Sequence, residues 1–317
     1  MNPLEILGKF SLALVSSMVL LTGGVAVPPA GVILLPLVPQ PVLSFGLKYG
    51  KRWTVGLLAT GTALLLLFAG KELALLYALF ALMVILLFLL LGRVRSIEAV
   101  VVSVAGVLFA LIAAIMSYFY SSWSQMAGDL REILAGNLNR TVRLYEKLGF
   151  SQESLDLLRE RTPQIIETVL EILPSLVFIA LGVIVLINLF LLHRRFPNRR
   201  AAWWSNENLR EWKGPESLVW CLIVCGFALF VPGIPLLKAF ALNVLLVVAV
   251  FYFFQGLAIV AYYFHQKNVP FYLRGITYVL ILFEQIFTML VVGLGLFDLW
   301  GDFRGLKKKN LSPSQAH

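Results

Sequence analysis

NVLLVVAVFYFFQGLAIVAYYF, residues 243–264, decides the fold. The stretch is almost wholly apolar and about the ~20 residues a helix needs to cross a bilayer. Yet it opens on Asn243 and carries Gln255 inside. A side-chain amide in hydrocarbon is costly unless another helix satisfies it. The stretch therefore predicts a membrane helix packed against others, with its amides turned inward.

The rest of the chain agrees. Hydrophobic residues make up 60% of the sequence and charged residues 14%, and the mean hydropathy is +0.87. Soluble domains carry roughly 25% charged residues, so lipid must cover much of this surface. The formal charge of +9 does not read as a nucleic-acid footprint. Its Lys and Arg residues gather between apolar runs, as at Lys48, Lys51 and Arg52 and at Arg194, Arg195, Arg199 and Arg200. That is the charge pattern of loops on the inner side of a membrane.

Nine hydrophobic helices are expected, at 6–21, 31–47, 53–69, 73–91, 97–120, 163–192, 218–231, 243–264 and 276–297. The fold class is all-α, a polytopic transmembrane bundle. The first span resembles a signal peptide, but hydrophobic sequence resumes directly after Pro28 and Pro29, which favours an uncleaved helix. The second span contains Pro36, Pro39 and Pro41. Prolines remove backbone hydrogen bonds, so this segment must lean on protein, as a kinked packing helix or as the border of a binding site. Gly106, Ala110 and Ala114, and more weakly Ala59 and Ala63, offer small-residue seams for helix packing.

Residues 121–162 form the one long polar excursion, with six basic and six acidic residues. Its apolar residues keep a helical period up to Gly149, and a shorter helix follows at 152–161. An amphipathic pair outside the membrane fits, either as a lid or lying on the interface. Thr162-Pro163 then reads as a helix start, with Thr as N-cap and Pro at the first position. Glu167 and Glu171 share a face there, as a solvated surface or as paired carboxylates that hold a cation or relay protons. Cys221 and Cys225, four apart, read as small buried hydrophobes or a metal pair.

The candidate polar cluster inside the membrane is Glu284, Gln255, Asn243, Tyr252 and Asp298. Glu284 is the deepest acid of the chain. It reads either as a proton, cation or ligand site, or as a neutral, hydrogen-bonded acid holding helices together. Basic loops at 48–52, 93–95, 193–213 and 267–274 place those segments and the N-terminus inside. The 193–216 loop adds Trp203, Trp204 and Trp212. Nine crossings would then leave Arg304, Lys307, Lys308 and Lys309 outside, against the charge rule, unless one late segment fails to cross.

Several residues of the C-terminal third carry a resemblance: Leu209-Arg210-Glu211-Trp212 with Pro215, Asn243, Tyr252 with Gln255-Gly256-Leu257-Ala258, and Gly295 with Asp298, Asp302 and Arg304. Together these resemble the YybS-like bacterial membrane proteins, a domain family of unknown function. The Pro/Gly-rich opening from Pro28 to Tyr49 is similar to the substrate-binding S components of energy-coupling-factor vitamin transporters. That similarity implies a six-helix unit over 1–192, a small-molecule pocket, and docking of a coupling subunit along the first helix, where Ala13 and Ser17 hold the seam positions. A basic loop over 193–216, a three-helix unit over 217–300 and a basic tail over 301–317 complete the expected organisation.

A solute-binding or transport component of the bacterial cytoplasmic membrane is the leading functional expectation, holding its ligand near the outer half under the 121–162 excursion. A structural or assembly protein without a substrate is the alternative. No G-x-x-x-x-G-K-[ST], H-E-x-x-H or G-x-S-x-G pattern occurs, so neither enzymatic activity nor a cofactor is expected. The expected partners are lipid, other membrane proteins and a small molecule.

Overall fold

The computed structural model describes residues 3–91, 93–94, 96–196 and 209–305. Arg95, Arg199, Arg200, Trp203, Trp204, Lys307, Lys308 and Lys309, on which part of the loop reading leaned, lie outside the described residues. Twelve helices and no strand occur among the described residues: α1 (Pro3–Ala26), α2 (Pro28–Leu34), α3 (Pro39–Tyr49), α4 (Lys51–Phe68), α5 (Lys71–Leu90), α6 (Ile97–Phe119), α7 (Trp123–Lys147), α8 (Gln152–Arg195), α9 (Leu218–Ala228), α10 (Pro235–Gln266), α11 (Phe271–Phe283) and α12 (Gln285–Gly301). A 3-10 turn, Leu35–Leu37, joins α2 to α3.

The fold is an all-α polytopic bundle. The count of nine spans needs correction. Six segments among the described residues are long and apolar enough to cross a membrane, and a seventh counts only if α11 and α12 are one span bent by 99°. α4 starts on Lys51 and Arg52, which lowers its apolar content, and α9 has only 11 residues. Contacts divide the chain into two units, residues 1–118 with 178–205 and residues 119–177 with 206–317. The polar excursion thus groups with the C-terminal helices, whereas the sequence grouped it with 1–192.

In the first unit the proline-rich span is broken, as its sequence requires. Prolines leave carbonyls without their usual N–H partners. Asn188, fully buried on α8, donates to Pro36 O at 2.8 Å and to Ile184 O at 2.8 Å. The segment leans on protein: 44% of its most apolar window is buried, the highest share among the six spans. Tyr77 locks α1, α4 and α5 together. Its ring lies against Gly61, where a Cβ would come within 2.7 Å of a ring carbon, and its hydroxyl is 3.2 Å from Ser17 Oγ. Ala13 and Ser17 are both buried here, so the seam that would dock a partner packs inward instead. The other small-residue seams face out. Ala59, Ala63, Ala110 and Ala114 are exposed, while α6 buries Val100, Val104, Ala105 and Leu108.

In the second unit α7 and the start of α8 form a hairpin closed by Gly149 at φ +81°, a conformation that glycine adopts without a Cβ penalty. Ser122 caps α7, accepting from Gln125 N at 3.3 Å. Arg131 grips Glu167 bidentately at 2.6 and 3.0 Å, and Arg159 pairs with Glu146 and Asp156. That hydrogen bonding is the main reason the Arg131 guanidinium is held above its usual range. Glu167 is therefore half of an ion pair rather than half of a carboxylate pair. The helix start expected at Thr162-Pro163 does not occur. α8 runs through Pro163, and Thr162 donates to Leu158 O as a mid-helix residue. Cys221 is exposed and Cys225 half-buried, not buried as expected.

α10 and α12 pack most closely. A Cβ on Gly256 would overlap Val291 O, and one on Gly295 would overlap Tyr252 O. Further along, Tyr263 donates to Phe303 O at 2.6 Å. The pairs 256–295 and 263–303 occur in the same order along both segments, so α12 runs in the direction of α10. The chain leaves the end of α10, turns at Glu284, and returns along α12 to the end it left.

Candidate functional site

Of the five residues expected to cluster, Gln255 and Asp298 meet. Both are fully buried, with Gln255 Nε2 3.3 Å from Asp298 Oδ2. Two Gly-bearing helix faces bring them together, because Gly256 and Gly295 let the backbones of α10 and α12 approach. Arg304, just past α12, donates to Asp298 Oδ2 at 2.7 Å and to the carbonyls of Arg210 and Trp212 at 2.8 and 2.9 Å. Gly214 N–H donates to Gln255 Oε1 at 3.1 Å, and Phe303 N–H to Asp298 Oδ1 at 3.0 Å. Lys213 reaches Asp302 at 3.1 Å. The Arg304–Asp298 pair has both side chains at 0% exposure. Such a pair survives burial only when further hydrogen bonds satisfy its remaining atoms, and most of them do here. Only Arg304 Nε is without a partner within the pair. Chemically this is a knot tying loop 209–214 to the ends of α10 and α12.

Asn243 lies elsewhere in the same unit and has a different task. Pro174 interrupts α8. Asn243 Oδ1 accepts from Ser175 N–H at 2.8 Å, and its Nδ2 donates to Glu171 O at 2.8 Å. These are the two backbone groups that would bond each other in an unbroken helix. The amide fills the gap that the proline opens. Tyr252 is buried beside the α10–α12 crossing, and its hydroxyl has no partner.

Glu284 does not join the cluster. It sits at the break between α11 and α12, exposed, with φ −101° and ψ 114°. The apolar residues around it suggested depth within one straight helix, but the 99° bend turns that position outward. Thr288 Oγ1 donates to Ile281 O and so covers a carbonyl freed by the bend.

The first unit holds a cavity of about 570 Å³ between α1, α3 and the end of α8. Gln40, Ser44 and Lys48 line it from one face of α3, Lys9 and Ser16 from α1, and Arg195 from α8, beside Leu12, Leu37 and Phe45. Gln40 Oε1, Ser44 Oγ and Tyr49 Oη are buried and have no hydrogen-bond partner. Lys48 Nζ stands 5.1 Å from the Tyr49 ring centroid. Among the described residues lining it there is no Asp, Glu, His or Cys. The sequence reading missed this cavity, although Gln40, Ser44 and Lys48 recur at four-residue spacing, which is one helical face. The solute was expected under the 121–162 excursion; the cavity instead lies at the basic ends of its helices.

No curated protein and no solved structure matches this chain. Residues 15–299 match the family described as predicted membrane protein (DUF2232). With nearly its whole length covered and its helices largely long and apolar, the chain belongs to that family of membrane proteins.

Proposed function

We propose that this protein is a small-solute binding or transport component of the bacterial cytoplasmic membrane, with the α1–α3–α8 cavity as its ligand site. The observation that carries this reading is the set of unpartnered polar atoms in that cavity. A buried polar atom without a partner costs about 1–3 kcal/mol, and native proteins keep few of them. Here three belong to residues that line one space, with Ser44 only 8% exposed. The volume lies within the ~300–1,000 Å³ of ligand pockets. Among the described residues the lining holds no acid, thiol or imidazole, which favours binding over catalysis. The likeness of the Pro28 to Tyr49 opening to S components supports the same reading, with any energy-coupled step left to partner subunits. Native mass spectrometry of the protein extracted from its own membranes tests it. A retained small molecule, lost on Ser44→Phe, supports the reading, and an empty wild-type protein opposes it.

The proposed arrangement has eight crossings, the six long apolar segments together with α4 and the short α9, with α11 and α12 as a re-entrant pair. Both chain ends then lie inside, which removes the conflict over the basic tail. A C-terminal green fluorescent protein fusion is expected to fluoresce, and a C-terminal alkaline phosphatase fusion to be inactive. The reverse pattern would make α11–α12 a crossing.

A structural or assembly role without a substrate is the second reading. It is favoured by the Gln255–Asp298–Arg304 knot, which its own chain closes. This reading expects Glu284→Gln to be tolerated.

A further inference from the structure

We infer that the α1–α3–α8 cavity takes a phosphate ester that carries free hydroxyl groups; this rests on the cavity being a ligand site. Lys9, Lys48 and Arg195 come from three separate helices yet line one space, with no carboxylate among the described residues lining it. Cations gathered without counter-charges repel one another, and an anion between them removes that repulsion. A guanidinium offers a planar fork and an ammonium a mobile point charge, a combination that suits a phosphate group.

The unpartnered atoms refine the class. Ser44 Oγ and Tyr49 Oη can donate to phosphate oxygens, whereas Gln40 Oε1 only accepts. An acceptor beside an anion needs a hydroxyl donor from the same ligand. The volume of about 570 Å³ exceeds what a bare phosphate fills, and Leu12, Leu37 and Phe45 give it an apolar wall. A polyol phosphate fits this wall and these donors, as a soluble ester or as the headgroup of an anionic glycerolipid.

The test uses the full-length protein in neutral detergent, with thermal unfolding followed against four probes: phosphatidylglycerol, phosphatidylcholine, sn-glycerol 3-phosphate and glycerol. Stabilisation by phosphatidylglycerol alone supports the inference and assigns a lipid source. Stabilisation by glycerol 3-phosphate as well supports it and assigns the soluble ester. Lys48→Gln with Arg195→Gln should weaken the effective probe at least tenfold, and Gln40→Leu should weaken it several-fold. Lys238→Gln, which does not line the cavity, should not. Because Lys48 and Arg195 are exposed, their loss does not threaten folding. Equal stabilisation by phosphatidylcholine, or an anionic effect unchanged in the double variant, overturns the inference. If no phosphate ester acts but a co-purified molecule is still lost on Ser44→Phe, the phosphate assignment falls and the solute-binding reading stands. If nothing is retained either, both fall.

Discussion

In the second unit, Gln255, Asp298 and Arg304 are buried among apolar helices and bond mainly to one another and to nearby backbone. In the first unit, Ser44 is buried and Gln40 and Tyr49 are half-buried, and each keeps a buried polar atom with no partner. Both sets place polar groups where water is scarce. They differ in what completes them. The knot is completed by its own chain at every atom but Arg304 Nε and holds a loop to two helices. The cavity is left for something the chain does not supply. Satisfaction of hydrogen bonds, more than polarity, separates a brace from a binding site in a medium that offers no solvent partners.

Mutations can test that contrast. Arg304→Met strands a buried carboxylate and should cost about 3–5 kcal/mol, read as a large fall in the unfolding temperature in detergent. Adding Asp298→Leu should restore much of the loss, because the pair is then replaced by apolar contact. Gly295→Val presses a branched side chain onto the Tyr252 carbonyl and should cost about 1–3 kcal/mol in the same assay. Asn243→Leu frees Ser175 N–H and Glu171 O and should cost about 1–2 kcal/mol; hydrogen exchange at Ser175 should rise with it. Ser44→Ala removes a buried hydroxyl that bonds nothing and should leave stability unchanged or raise it by up to about 1–3 kcal/mol. A large loss at Ser44, or none at Arg304, would break the distinction between the two regions.

The two asparagines extend the lesson. Asn188 covers Pro36 O, and Asn243 bridges the gap that Pro174 makes in α8. In each case a proline disturbs the helical hydrogen bonding and an amide from another helix bonds the backbone nearby. Both amides are polar residues within or beside apolar runs of the sequence. Their partners are not legible there, because residue 188 bonds 152 positions away and residue 243 bonds 68 and 72 positions away. The same limit hid the cavity. The Gln40, Ser44 and Lys48 face was readable on α3, but Lys9 and Arg195 reach it only through packing. Glu284 misled for a local reason. Apolar neighbours signal depth only while the helix stays straight, and this one turns at that residue.

The sequence by itself determined that the chain is helical and lipid-embedded, which stretches are apolar, and which few polar residues they must accommodate. Those follow from composition and period, since hydrocarbon accepts little besides apolar side chains on self-bonded backbone. Only the tertiary structure decided which polar groups find partners, that α12 returns beside α10, and where an unfilled space remains. Such outcomes depend on contacts between residues far apart in the chain, which local spacing does not encode.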